Sequence, residues 1–149
     1  MVLKILQQGH VTMKVQAKWV EGYRFIGSNE QGHGLVMDGS GGETRLGNSP
    51  MELLLLSLGG CSGIDVVHIL KKSRQDVVDC VVEVTGTRAD TEPKVFTDIH
   101  MVYRVIGNNL SMDKVERAVE LSAEKYCSAS VMAGKAANIT REIFVQEAE

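Results

Sequence analysis

Ser49-Pro50-Met51-Glu52-Leu53-Leu54-Leu55-Leu56-Ser57-Leu58-Gly59-Gly60-Cys61 is the stretch on which the fold turns. Ser49 suits an N-cap, Pro50 the first helical position, and Glu52 can reach back to complete a capping box. From Met51 to Leu58 the run is apolar on nearly all sides. A helix of that kind must be buried all round, at the centre of a domain or across a subunit interface. Gly59-Gly60 then permits a kink or close packing, and a second helical stretch is predicted from Cys61 to about Arg74, with Ile64, Val67 and Leu70 turned inward.

Outward from this helix the periodicity changes. Alternation from Met13 to Val20, the turn pair Glu21-Gly22, and apolar stretches at Tyr23–Ile26 and His33–Met37 predict a three-stranded meander. Asp38 to Asn48 holds four glycines and no periodicity, which predicts a flexible loop of the kind that borders sites. On the other side, Val78–Arg88 and Val95–Ile106 alternate and turn around Glu92-Pro93, predicting an antiparallel pair in which Val78, Cys80, Val82 and Val84 share one face. Asn108 to Ser111 start an amphipathic helix running to about Glu124, with Val115, Ala118, Val119 and Ser122 on one face. A short helix from about Cys127 to Ala137 and a last strand, Asn138–Gln146, follow. Three strands, helix, two strands, two helices and a strand make an α+β chain.

With 149 residues the chain has the length of one domain, predicted over 13–149 behind a flexible N-terminal arm at 1–12. Its composition, 44% hydrophobic and 23% charged, excludes wholesale disorder. No apolar run approaches the roughly 20 residues that span a bilayer, so no membrane partner is expected. A formal net charge of -3 leaves no basic excess for nucleic acid. Three cysteines without a signal-peptide pattern make a poor disulfide framework and point to a reducing, cytoplasmic setting.

Gly42-Glu43-Thr44-Arg45-Leu46-Gly47-Asn48-Ser49 approaches a phosphate-binding loop, but Asn48 replaces the lysine that would reach the phosphates. Four histidines and three cysteines fall in no close ligand spacing, so neither a metal nor another cofactor is expected. Thiol chemistry remains. If the helix restarts at Gly60, Cys61 sits in its first turn, where unpaired N–H groups favour thiolate. If the helix runs unbroken, Cys61 is mid-helix in apolar company and its pKa rises; Asp65 and His68, at i+4 and i+7, pull in opposite directions. Cys80 reads as strand packing. Cys127 follows Glu124-Lys125-Tyr126 and precedes small residues that allow close approach, so it could meet Cys61.

Ser49-Pro50-Met51-Glu52-Leu53 followed by Gly60-Cys61, with a second cysteine in Glu124-Lys125-Tyr126-Cys127-Ser128, resembles the OsmC/Ohr family of thiol-dependent hydroperoxide reductases, and within it the YhfA-like branch. Cys61-Ser62-Gly63-Ile64-Asp65-Val66-Val67 and Arg74-Gln75-Asp76-Val77-Val78-Asp79-Cys80 carry the likeness to that branch. The resemblance spans about Met13 to Val145. It implies an OsmC-like fold, antiparallel sheets wrapped around a long buried central helix in an intertwined homodimer, with sites at the interface. It also implies a peroxidatic Cys61, a resolving Cys127, and an arginine and a glutamate completing the site. Arg45, upstream of Ser49-Pro50, is the better placed arginine and Arg24 the alternative. The glutamate's place directly after the proline is taken here by Met51; Glu52, one residue on, is rotated by about 100°.

The expected function is reduction of organic hydroperoxides through a Cys61 sulfenic acid resolved by Cys127 and recycled by an external dithiol. Met51, Leu54, Leu55 and Leu58 are the candidates for an apolar substrate pocket. The alternative is a redox-sensing or small-molecule-binding protein of the same fold with little peroxidase activity.

Overall fold

A computed structural model describes residues 12–149; the arm expected at 1–12 lies, as far as residue 11, outside the described residues. The fold is α+β, with two three-stranded sheets and one long helix. The chain divides into two compact units, one ending at Met51 and one comprising Glu52–Glu149.

The first unit holds β1 (Val15–Glu21), β2 (Arg24–Asn29) and β3 (Gly34–Asp38), antiparallel in the order β1-β2-β3. Gly22, at φ +50, makes the tight connection that the Glu21-Gly22 pair predicts. Every residue of β1 is exposed. The 39–48 segment is not the free loop its glycines suggest. Asp38, fully buried, accepts hydrogen bonds from Ser40 N (2.9 Å), Leu46 N (3.1 Å) and Arg24 Nε (3.1 Å), and so ties both ends of the loop to β2. The Ser40 bonds, with help from Leu46 and Arg24, hold its carboxyl far below the ordinary carboxylate range against the opposing effect of burial.

Because the folded value is depressed, this anchor is complete above the ordinary pKa of 3.8 and is lost as the pH falls below it. Asp38→Asn should therefore lower the melting temperature at pH 7, and the difference from wild type should shrink in thermal scans taken below about pH 4. An unchanged pH 7 melting temperature would show that the loop does not depend on this carboxylate.

The second unit is built on α1 (Pro50–Lys72), β4 (Asp76–Arg88), β5 (Phe96–Asn108), α2 (Met112–Leu121), α3 (Ser128–Ala133) and β6 (Asn138–Glu147). The helix is one continuous 23-residue element, without the restart predicted at Gly60. Two glycines in a helix interior cost about 1 kcal/mol each in propensity. At Gly59 close approach to the sheet explains the glycine, since a Cβ there would stand 3.2 Å from Val84 Cγ2; one at Gly63 would make an ordinary 3.4 Å contact with Val82 Cγ2, and one at Gly60 would meet nothing within 4 Å. Within one chain α1 is not buried all round. Its buried stripe is Leu58, Ser62, Val66 and Leu70, while Ile64, predicted inward, is 72% exposed. An uninterrupted helix this apolar is long enough to cross a membrane, contrary to the reading of isolated runs. Its Leu58, Val66 and Leu70, however, belong to the unit's own core.

That core lies against the alternating inner row of β5, Ile99, Met101, Tyr103 and Val105, and is closed by Val115, Ala118 and Val119 of α2. Full burial of a side chain such as Leu70 contributes about 1.5–3 kcal/mol. β4 pairs antiparallel with β5, and β6 joins the other side of β5 in parallel, which the α2–α3 crossover permits. In β4 a register shift between Val77 and Asp79 moves the inward face: Val77, Cys80, Val82 and Val84 face the core, and Val78, predicted among them, is 61% exposed.

Candidate functional site

The turn after α2 decides the site. Instead of continuing as α-helix, Ser122–Tyr126 widens into a π-helical turn, and Cys127 leaves it with extended backbone as the N-cap of α3. Such widened turns are rare and favour functional positions. The result sets Cys127 against the middle of α1, where the Sγ atoms of Cys61 and Cys127 and a carboxylate oxygen of Asp65 all lie within 4.8 Å of one another. Cys61 and Asp65 share a helix face by their i, i+4 spacing. Cys127 comes from far along the chain, and its nearness is invisible in sequence spacing.

The two thiols are unequal. Cys127 is fully buried, its sulfur accepting the Ser130 N–H at 3.3 Å; Cys61 is half-buried, and the Ala129 N–H points at its sulfur. Burial is the main cause pushing the Cys61 thiol above its ordinary 9.0, the neighbouring Cys127 and Asp65 push the same way, and the Ala129 N–H opposes them. Of the two environments open to Cys61 from sequence, the unbroken helix produces the one that disfavours thiolate. Its alkylation by iodoacetamide should accordingly climb about tenfold per pH unit from pH 7 to 9 without levelling off, as followed by peptide mass spectrometry. A plateau below pH 8 would mean that another group stabilises the thiolate.

Behind Asp65 runs a buried polar chain that sequence reading missed. Tyr103 OH lies 2.7 Å from Ser62 Oγ, which lies 2.9 Å from Ser122 Oγ, and Ser122 donates to Asp65 Oδ2 at 3.0 Å. A hydroxyl has one proton to give. With Ser122 committed to Asp65, Ser62 donates to Ser122 when that bond is made, while the Tyr103 proton can serve Ser62 or Met101 Sδ, which lies 3.8 Å away. The Arg141 guanidinium lies beside the Tyr103 oxygen at the far end. Burial raises the Tyr103 phenol, and Ser62 and Arg141 oppose the rise. The only available signal was that Ser62 and Ser122 fall on buried helix stripes, where a serine needs a partner.

The other candidate residues are more scattered. Leu58 is turned into the core at 3% exposure, Leu55 packs near Gly86 and the core, and Leu54 is 53% exposed. Met51 and Glu52 are half-buried in the first turn of α1. Arg24 is held by Asp38, and Arg45 follows the 3-10 turn Gly42–Thr44, its N–H bonded to Gly42 O. Cys80 lies in a separate groove of about 720 Å³ between α1 and β4, beside Gly60, Gly63 and His68, and its thiol is raised by burial and then by Asp79. Two sulfurs and a carboxylate can perform dithiol–disulfide chemistry, and the same three donors could hold a thiophilic ion such as zinc.

This fold, with a cysteine at the centre of α1 and a second before α3, is that of a recognised class: residues 40–142 match the OsmC-like protein family, and the chain belongs to it. Among relatives, it is 51% identical over 128 residues to protein YhfA of Escherichia coli K12, covering 86% of this chain and 94% of that protein. The crystal structure of an OsmC-like protein from Mycoplasma pneumoniae superposes with a TM-score of 0.81 at 14% identity, over 91% of this chain and 97% of that one. That of the organic hydroperoxide resistance protein OhrB of Bacillus subtilis gives 0.63 at 19% identity, over 90% and 98%. These two likenesses are of fold.

Proposed function

We propose that the protein is a dithiol peroxidase that reduces organic hydroperoxides. The observation that carries the reading is the approach of a half-exposed Cys61 and a fully buried Cys127 beside Asp65. Membership of the OsmC-like family supports a redox role, and a neighbour of the same fold is named for organic hydroperoxide resistance.

In the first step the Cys61 sulfur attacks the terminal peroxide oxygen. The O–O bond breaks, the organic alcohol leaves with the thiol proton, and sulfur is oxidised to sulfenic acid. Cys127 then attacks that sulfur, expelling water and closing a disulfide. An external dithiol restores both thiols by exchange, itself becoming a disulfide. A cytoplasmic setting supplies such reductants. Arg45 is the proposed cation for the Cys61 thiolate, with Glu52 to orient it and Met51, Leu54, Leu55 and Leu58 toward the organic group.

The test is turnover of cumene and tert-butyl hydroperoxide against hydrogen peroxide, with dithiothreitol as reductant, and mapping of the oxidised peptides. Faster consumption of the organic peroxides and a Cys61–Cys127 disulfide are expected. A second reading, a redox-sensing or small-molecule-binding protein with little peroxidase activity, is favoured by the raised Cys61 thiol, which slows attack on a peroxide, and by Met51 at the position where the family likeness calls for glutamate. Loss of one thiol per site without turnover would select it.

A further inference from the structure

Dithiol chemistry uses the two sulfurs and leaves Asp65 without a task. Yet one carboxylate oxygen of Asp65 and the Sγ atoms of Cys61 and Cys127 all lie within 4.8 Å of one another. Around a tetrahedral zinc, with bonds of about 2.3 Å to sulfur and about 2.0–2.2 Å to a carboxylate oxygen, such donors stand roughly 3.5–3.8 Å apart. Small side-chain adjustments therefore close all three on one ion. Spacing along the chain hides this set, because Cys127 is brought to α1 only by the π-helical turn after α2.

Each donor is already oriented by a neighbour. Ser122 Oγ donates to Asp65 Oδ2 at 3.0 Å, the Ser130 N–H to Cys127 Sγ at 3.3 Å, and the Ala129 N–H points at the Cys61 sulfur. Ser122 is itself fully buried and held 2.9 Å from Ser62, so the carboxylate is fixed from behind. Hydrogen bonds of this kind make up the outer shell that holds metal ligands in place. Charge points the same way: Asp65 has no ion pair among the described residues, and two ionisable sulfurs lie beside it. A dication offsets all three acidic groups at once.

The donor types select the ion. Magnesium and calcium take oxygen shells, and Cu(I) prefers soft sulfur to carboxylate, whereas two sulfurs and one oxygen suit zinc. Cys61 and Asp65 are half-buried, so an ion meets them from solvent, and the buried Cys127 sulfur is reached through them and not through a separate cavity. Three protein ligands leave the fourth position to water, as in an open zinc site.

We propose that the reduced protein binds one zinc ion per chain through Cys61 Sγ, Cys127 Sγ and an Asp65 carboxylate oxygen, and that the bound ion masks Cys61. Both thiols give up their protons to solvent as the ion binds. The site requires the thiols to be reduced and close, and does not rest on peroxide chemistry.

The test is titration of untagged, reduced, chelator-stripped protein with zinc against a chromophoric chelator, and with cobalt as a spectroscopic stand-in. One zinc per chain is expected, with a near-ultraviolet thiolate-to-cobalt charge-transfer absorption that is lost in Cys61→Ser and after alkylation by iodoacetamide. Asp65→Asn keeps an acceptor for Ser122 and should bind zinc at least about tenfold more weakly, one of three ligands being lost. Cys80→Ser should bind as wild type does, its sulfur lying in a different groove. Bound zinc should slow alkylation of Cys61 about tenfold, by tying up the lone pair that attacks, and EDTA should restore the rate. Failure to hold zinc against the chelator, a cobalt spectrum without thiolate charge transfer, unaltered affinity in Asp65→Asn, or loss of binding in Cys80→Ser would overturn the proposal. Stoichiometry, cobalt spectrum and protection from alkylation are read on the wild type, so they decide even where a cysteine variant does not fold. No peroxide enters these measurements: zinc binding without hydroperoxide turnover supports the site while the peroxidase reading fails, and an active peroxidase that ignores zinc overturns the site alone.

Discussion

A Cys61→Ser variant is expected to consume no organic hydroperoxide, while Cys127→Ser consumes about one equivalent per site and stops. The asymmetry follows from the two environments. Cys61 is the less buried of the two sulfurs and, on the proposed scheme, the one that meets the peroxide; a serine hydroxyl there has no accessible anion to attack the O–O bond. Cys127 is fully buried and, on the proposed scheme, acts only on the sulfenic acid formed beside it. Without it the Cys61 sulfenic acid should persist, be trapped by dimedone in mass spectrometry, and over-oxidise under excess peroxide. Cys80→Ser should leave turnover intact and change only stability, since Cys80 faces the core side of β4 in a different groove. Steady turnover by Cys127→Ser, or a Cys61–Cys80 disulfide in the oxidised wild type, would defeat the two-cysteine scheme.

Much of the fold could be read from the amino acids because its elements obey local rules. The six strands start and end within a few residues of their alternating runs, and Val115, Ala118, Val119 and Ser122 are the buried face that their spacing predicts. What escaped reading depends on partners distant in sequence. Helix α1 continues through Gly59-Gly60, and at Gly59 the reason for a glycine lies in another strand: a Cβ there would stand 3.2 Å from Val84 Cγ2. The shift at Val77/Asp79, which turns Val78 outward, comes from pairing with β5, and no pattern within β4 encodes it. The site follows the same rule. Family likeness pointed to Cys61 and Cys127, and the i, i+4 spacing to Asp65. The serine–tyrosine chain behind Asp65 joins residues from α1, β5 and the turn after α2, and Ser62, Ser122 and Tyr103 carry no motif. Asp38 looked like a loop residue only because its three hydrogen-bond partners lie to either side of it in the chain.

Sedimentation at micromolar concentration is expected to give twice the 16.3 kDa of one chain. Several large apolar side chains of a single chain are left in water. On α1, Leu54 is 53%, Leu56 56% and Ile64 72% exposed, although the same helix buries Leu58, Val66 and Leu70 in the core of its unit. In the first unit Trp19, Tyr23, Leu35 and Val36 are exposed as well, and a three-stranded sheet needs an apolar face to bury if it is to be stable. A second copy of the same chain would cover such side chains in an isologous pairing. A carboxylate at Ile64 would be desolvated in such an interface but harmless on a solvated helix face. Ile64→Asp should therefore shift the protein toward monomer and lower its melting temperature, with the loss growing on dilution as mass action requires. A wild-type chain that sediments as a compact monomer, or an Ile64→Asp variant that keeps both mass and stability, would show that α1 faces solvent and that the dithiol site is completed within one chain.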